Sequence, residues 1–165
     1  LEFRRVLFRS SLSLKGSSLV LGKFFSVLLI IAIALAGSLV YVFTLHYLSL
    51  NGLDTGAVLG SYIGLFMLCA VYASIGIYIS SCFSNSLASF MITAFACFLI
   101  YYVFAFFPAF YVGGQNIGYY ISLMGVKSHF ENISKGYLAL NDLIYFISVV
   151  LLFLYQTNLQ LKKSN

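Results

Sequence analysis

The residues of this chain that could bind a nucleotide are two glycines and a lysine in GSSLVLGKFF, residues 16–25. A phosphate-binding loop needs four residues between its glycines, so that backbone N–H groups surround the β-phosphate, and then Lys followed by Ser or Thr to hold magnesium. Five residues separate Gly16 from Gly22, and Phe24 follows Lys23. Because both the spacing and the hydroxyl are wrong, we predict that this chain does not hydrolyse nucleotides and is not an enzyme.

Four other ionisable residues could in principle form a metal site: His46, Asp54, His129 and Glu131. We interpret them instead as solvated loop residues, because each lies at the end of an apolar segment or between two of them. No HExxH or G-x-S-x-G motif occurs, and the interiors of the apolar segments contain no Asp, Glu, Lys or Arg. The sequence therefore predicts no catalytic centre, no metal and no cofactor.

The cysteines give no sign of redox or metal chemistry. Cys69, Cys82 and Cys97 lie in or beside apolar segments and show no CxxC spacing. Isolated cysteines in such segments behave as small apolar side chains. An odd number of cysteines without a pairing pattern argues against a disulfide framework.

The elements that carry these residues are predicted to be membrane-spanning helices. Hydrophobic residues make up 62% of the chain, charged residues only 8%, and the mean hydropathy is +1.01. A bilayer core about 30 Å thick is crossed by roughly 20 apolar helical residues. Four segments meet this requirement, which predicts an all-α polytopic bundle with spans at about residues 24–45, 57–79, 87–112 and 143–161.

Three details of this bundle can be predicted from local signals. Asn141 and Asp142 are typical of a helix start, so we expect the fourth helix to begin after Asp142, with that side chain as its cap. Pro108 is expected to kink or end the third helix. Residues 116–130, NIGYYISLMGVKSHF, are too few to span and too apolar for a free loop, so we predict a short re-entrant or interfacial helix at the outer side.

The lysines indicate the orientation, because Lys and Arg near span ends are retained on the cytoplasmic side. An even number of spans puts both ends of the chain on one side, and both ends are basic. The loop at 49–56 and the stretch at 113–139 would then face outward. The predicted cytoplasmic anchors are Lys15, Lys23, Lys162 and Lys163.

A cleaved secretory signal is an alternative for the first apolar segment, with ALAG at residues 34–37 as the cleavage site. The segment continues to Leu45, and its length of about 22 residues exceeds the 7 to 15 of a signal core. We therefore favour a retained span.

Three glycines recur every fourth residue in GAVLGSYIG, at Gly56, Gly60 and Gly64. This spacing aligns them on one face of a helix, and small residues on one face let two helix backbones approach closely in a membrane. The partner is either another element of the same chain or a second subunit. The sequence leaves both alternatives open.

The first ten residues, LEFRRVLFRS, differ in character from the rest and resemble a translated linker, so we exclude residues 1–10 from the interpretation as a non-native leader. Residues 11–165 then carry six lysines against three acidic residues, a net charge of +3. The chain has no initiating Met, and we expect it to be part of a longer protein.

Three function classes fit a helical membrane protein without its own catalytic centre. They are a transport subunit driven by a separate ATPase, a channel or passive carrier, and a structural subunit of a membrane assembly.

Several stretches resemble the permease subunit of the gliding-motility-associated ABC transporter of Bacteroidota, within the ABC-2 exporter class. They are VLGKFF before the first span, the D-x-G and G-S-Y-I-G motifs at residues 54–64, H-F-x-x-I-S-K-G at 129–136, and D-x-I-Y-F at 142–146. The resemblance covers about residues 19–163. It implies that residues 11–165 are part of an ABC-2 type transmembrane domain.

The resemblance also implies six spans in the whole family member and an acidic cytoplasmic coupling segment before the third. This chain departs from the family there, since two spans and most of that segment are absent. The implied partners are a separate ABC-type ATPase, a second permease subunit and the lipid bilayer, with no nucleic acid. The implied location is the bacterial inner membrane, with both ends of this chain cytoplasmic.

Overall fold

The computed structural model of this protein describes residues 16–49, 52, 54–106, 125–137 and 139–163. These residues contain no β-strand. The prediction of an all-α fold is confirmed. The described helices are α1 (Gly16–Leu48), α2 (Thr55–Cys82), α3 (Ser86–Phe106), α4 (Val126–Ser134) and α5 (Leu140–Lys163).

Four of these helices, α1, α2, α3 and α5, are long and apolar enough to cross a membrane. The prediction of a four-span bundle is therefore confirmed, and the architecture is that of a multi-pass membrane protein. The 33 residues of α1 extend over about 50 Å, longer than a bilayer core of about 30 Å. The helix α1 is therefore long enough to cross a bilayer with considerable tilt.

Several predicted features lie outside the described residues. They include the leader at residues 1–10, Lys15, Pro108 and the end of the predicted third span at residues 107–112. The first part of the predicted outer helix, residues 116–124, lies outside them as well. The structure describes the later part of that segment as α4, a separate helix of nine residues.

The start of α5 differs from the predicted one. The helix begins at Leu140, because the carbonyl of Ala139 already accepts from the backbone N–H groups of Asp142 at 3.1 Å and Leu143 at 3.4 Å. Asp142 consequently lies in the first turn and does not precede the helix as its cap. A side-chain cap is found instead at α2, where Asp54 accepts from the backbone N–H groups of Gly56 and Ala57.

The helix α2 is the centre of the bundle and packs against all four other helices. Its residues Leu68, Val71, Ile75 and Ile79 form the main apolar core together with Phe146 of α5 and two residues of α4. This core excludes lipid as well as water from the middle of the bundle. The faces of α1 and α3 away from α2 expose large apolar side chains, as expected for helices surrounded by lipid.

A second core cluster joins the beginning of α1 to the end of α5. Val20 and Phe24 of α1 pack with Ala70 of α2 and Leu154 of α5, and Leu161 lies against the same cluster. Lys23 therefore lies at the same end of the bundle as Lys162 and Lys163. The helices α2 and α5 both begin at the opposite end, where α4 is located.

An apolar groove of about 750 Å³ runs between α1 and α2, from Ala32 to His46 on one side. The hydroxyls of Ser38 and Tyr62 are 2.9 Å apart and join the two helices.

We expect Tyr62→Phe to lower the free energy of unfolding by about 0.6 kcal/mol, the typical contribution of one hydrogen bond between membrane helices. Denaturation in mixed micelles would measure the change.

The matched control is Tyr41→Phe, since the Tyr41 side chain is 73% exposed on α1. That variant should unfold like the unmodified protein. Equal losses in the two variants would show that the hydroxyl bond does not hold α1 against α2.

Candidate functional site

The short helix α4 packs onto the end of the bundle where α2 and α5 begin. Its residues Val126 and Ile133 are buried, and the helix contacts α2, α3 and α5. An isolated helix of nine residues is not stable on its own, because helix nucleation is costly. The position of α4 is therefore determined by its contacts with the bundle.

Two of the predicted glycines form the surface that receives α4. A Cβ added to Gly60 would overlap the carbonyl oxygen of Ile133 and lie 3.0 Å from the Cα of Gly136. A Cβ added to Gly64 would lie 3.2 Å from the Ile133 side chain and 3.3 Å from the ring of Phe130. These two glycines thus pack against another element of the same chain and not against a second subunit, which decides between the two alternatives that the sequence left open.

The third glycine, Gly56, has a different role. It faces Gly136, two residues after the end of α4, because a Cβ added to Gly136 would lie 3.3 Å from the Gly56 carbonyl group. Gly136 has a φ of +86° and donates its N–H to the carbonyl of Ile133. The hydroxyl of Ser61 donates to the carbonyl of Ser134 at 3.2 Å and adds a polar contact across the same seam.

Replacing Gly136 by Ala should destabilise the protein for two reasons. A left-handed backbone costs an L-residue about 1–2 kcal/mol, and the new Cβ would press on the Gly56 carbonyl. We expect the free energy of unfolding in mixed micelles to fall by more than that backbone cost alone.

Gly52→Ala is the matched control, because Gly52 also has a positive φ, +77°, but a Cβ there meets nothing within 4 Å. The difference between the two variants measures the contact between Gly136 and Gly56. If both variants lose the same free energy, the close approach contributes nothing.

A buried pair of ionisable side chains connects α4 to α5. The His129 Nδ1 and Asp142 Oδ1 atoms are 2.6 Å apart, and the two side chains are 18% and 6% exposed. The imidazole stacks on the ring of Tyr145, with centroids 4.1 Å apart and an interplanar angle of 23°. The second carboxylate oxygen of Asp142 is buried and has no hydrogen-bond partner among the described residues.

This pair is expensive to bury unless its charges compensate each other. A carboxylate in the first turn of a helix is favoured by the helix dipole, which partly supports Asp142. The remaining compensation must come from His129, the cation-forming side chain in direct contact with it. The contact between His129 and Asp142 therefore fixes α4 to the first turn of α5.

Sequence reasoning missed this pair, since it interpreted His129 as a solvated loop residue and Asp142 as a helix cap. The first interpretation is wrong, because His129 lies in α4 and is largely buried. One signal was available in D-x-I-Y-F: Asp142 and Tyr145 are three residues apart and share a helix face. A polar group and an aromatic ring on that face indicate a partner that the local pattern cannot identify.

The four residues considered for a metal site are not brought together. Within the part of the chain that the structure describes, no three His, Cys, Asp or Glu side chains form a group that could hold a metal ion. Asp54 caps α2, and Glu131 forms an exposed i, i+4 pair with Lys127 at 3.7 Å. His46 lies in the last turn of α1, at the rim of the apolar groove.

The glycine-rich stretch at residues 16–25 is helical from its first residue. A phosphate-binding loop has its backbone N–H groups free to face a ligand, whereas those in a helix beyond the first turn bond to the preceding turn.

The three cysteines of the chain are free thiols: Cys69, Cys82 and Cys97. Cys82 is exposed at the end of α2.

No protein-family model matches this sequence, no curated protein is significantly similar to it, and no solved structure matches its fold.

Proposed function

We propose that this chain is the transmembrane subunit of an ABC-2 type exporter of the gliding-motility-associated kind, which supplies the translocation path while a separate ATPase supplies the energy. The proposal begins from the motifs quoted above. It is specific in the order of these motifs along the chain, which shared hydrophobicity alone does not explain.

One observation carries the proposal. Three of the stretches that carry the resemblance, at residues 54–64, 129–136 and 142–146, pack into a single unit, although the first and the last lie far apart in the sequence. Gly60 and Gly64 of the first motif contact Ile133 of the second. His129 of the second contacts Asp142 of the third. These contacts join the three stretches into one structural unit, as the proposal expects of a permease domain in which the three stretches occur together.

The proposed orientation places both ends of this chain in the cytoplasm of a bacterial cell, with the bundle in its inner membrane. Lys23, Lys162 and Lys163 lie at one end of the bundle, and basic residues near span ends are retained in the cytoplasm. The end that carries α4 would then face outward. The ATPase would contact the basic end.

The proposed mechanism is a shift between two packings of the bundle. ATP binding and hydrolysis in the partner favour one packing over the other, and the path opens alternately to the two sides. A second permease subunit would complete the path. The faces of α1 and α3 that expose large apolar side chains are the surfaces available for that subunit and for lipid.

Co-purification tests the proposal. The full-length protein, including its upstream reading frame, is tagged and isolated from native membranes in a mild detergent. An ABC-type ATPase should be recovered with it, and the recovered complex should hydrolyse ATP while the isolated chain does not. Recovery of the intact protein without an ATPase would favour a channel or a structural subunit.

Thiol labelling tests the orientation separately. Cys82 is exposed at the end of α2, on the side of the bundle where α5 ends. A membrane-impermeant thiol reagent should label it in inside-out vesicles and leave it unlabelled in intact cells. Ser49→Cys in a Cys82→Ser background reports on the opposite end and should give the reverse pattern.

A further inference from the structure

We propose that the groove between α1 and α2 binds one phospholipid of the leaflet at the α4 end, with an acyl chain in the groove and an amine headgroup beside Asp54. The groove measures about 750 Å³, within the range of ligand-binding pockets. The inference rests on the groove and its mouth alone and is independent of the proposed transport function.

The groove extends over one half of the bundle only. It runs from His46 and Thr55 at one end to Ala32 and Met67 at the other. Ala32 is the middle residue of α1, and Met67 lies close to the middle of α2. The two stretches rise about 21 Å and about 18 Å along their helices, and one leaflet of a bilayer core is about 15 Å deep. The groove therefore has the length of one lipid chain, from the headgroup level to the midplane.

The other half of the seam between α1 and its neighbours is closed. Phe24 and Leu28 of α1 pack there against a cluster that contains Ala70 of α2 and Leu154 of α5. A membrane-spanning helix of a second subunit crosses both leaflets and would meet this closed half, whereas a lipid chain ends at the midplane. The half-length of the groove therefore favours a lipid over another helix.

The lining of the groove suits a hydrocarbon chain. Its residues are apolar except for His46, Thr55 and Tyr62. The Tyr62 hydroxyl lies 2.9 Å from that of Ser38 and is hydrogen-bonded to it. The other two polar side chains lie at the mouth, where an imidazole and a hydroxyl can donate hydrogen bonds to the ester and phosphate oxygens of a lipid. The order from apolar lining to polar mouth matches the order of groups along a phospholipid.

The mouth of the groove also carries a negative charge. Asp54 directly precedes Thr55 and is the only Asp, Glu, Lys or Arg between Lys23 and Lys127. Its Oδ1 accepts both capping hydrogen bonds of α2, and its Oδ2 accepts none from the described residues. Lys135, beside the glycine seam, forms no ion pair with Asp54 within the described structure. An ammonium headgroup is the charge that complements this free carboxylate oxygen.

Fluorescence quenching measures occupancy of the groove, because the chain contains no Trp. Phe43→Trp places a sole reporter in the groove, and Phe98→Trp places one on the exposed surface of α3. The full chain in detergent is titrated with phosphatidylethanolamine that carries brominated acyl chains, which quench Trp on contact. Half-quenching of the groove reporter should need at least about tenfold less lipid than half-quenching of the α3 reporter.

Two outcomes of this titration would overturn the proposal. Equal half-quenching of the two reporters would mean that the groove meets only the general lipid around the bundle. Weaker quenching in the groove than on α3 at every amount of lipid would mean that a second protein subunit fills it.

Ala36→Phe tests the place of the chain, since its ring would fill the groove that Ala36 lines. In the Phe43→Trp background it should raise the lipid needed for half-quenching at least about tenfold. Ala34→Phe is the matched control, because Ala34 is exposed on the same helix and does not line the groove. Equal shifts in the two variants would contradict binding in the groove.

The headgroup is tested by comparing two brominated lipids at the groove reporter. Phosphatidylethanolamine should bind about threefold more tightly than phosphatidylglycerol, which has no amine, as expected for one exposed ion pair. Asp54→Asn removes the charge and keeps the helix cap, because Asn is an equally good cap, and this variant should bind both lipids alike. Equal binding of the two lipids before the change, or the same preference after it, would overturn the assignment of the amine to Asp54.

Discussion

Replacing Gly60 by Ala is expected to lower the free energy of unfolding by about 3 kcal/mol, the upper end of the range for overpacking a core. The reason is the nature of the opposing atoms. The new Cβ would overlap the carbonyl oxygen of Ile133 and press on the backbone of Gly136. Backbone atoms on two sides cannot rotate away as a side chain does, so α4 must shift as a whole.

Denaturation in mixed micelles measures this loss, and hydrogen exchange of residues 126–136 shows where it occurs. Gly37→Ala provides the control, because Gly37 also lies inside a long apolar helix but a Cβ there meets nothing within 4 Å. Ala is the better helix former, so this control should be neutral or slightly stabilising. Similar losses at both positions would mean that helix propensity, and not the contact with α4, determines the effect.

Replacing His129 by Ala is expected to cost about 3 kcal/mol, because it leaves the Asp142 carboxylate buried without its partner. We take the lower end of the range for a broken buried pair, since the His129 side chain is 18% exposed and water can enter the space that it leaves. The stacking contact with Tyr145 is lost as well.

A double-mutant cycle separates the pair from its surroundings. Asp142→Ala in the His129→Ala background should cost much less than it does alone, because the first change has already removed the interaction. Glu131→Ala is the control for an exposed pair on the same helix, and we expect it to cost no more than about 0.5 kcal/mol. Additive losses for His129 and Asp142 would show that the two side chains do not stabilise each other.

The membrane-spanning helices could be predicted from the sequence because their signal is local. A run of about 20 apolar residues has few alternatives to a helix in a bilayer, where each backbone polar group needs a partner within its own segment. The predicted bounds were less accurate. The helix α5 begins at Leu140, since its first turn forms through the backbone of Ala139 and does not need the Asp142 side chain.

The partners of the glycines could not be predicted in the same way. The spacing of Gly56, Gly60 and Gly64 indicates a face that another backbone can approach, but it contains no information about which backbone does so. The element that approaches is α4, about seventy residues later in the chain. Its position depends on the packing of α2, α3 and α5 around it.

By itself, the sequence determined that this protein is an all-α, four-span membrane protein whose spans carry no charged residue in their predicted apolar interiors. Only the tertiary structure decided that Gly60 and Gly64 receive α4 and that His129 meets Asp142. The physical reason is the distance along the chain over which each interaction acts. Hydrophobicity and helix propensity act between neighbouring residues and can be read along the chain. Close backbone approach and the compensation of a buried charge arise only when distant segments are folded together.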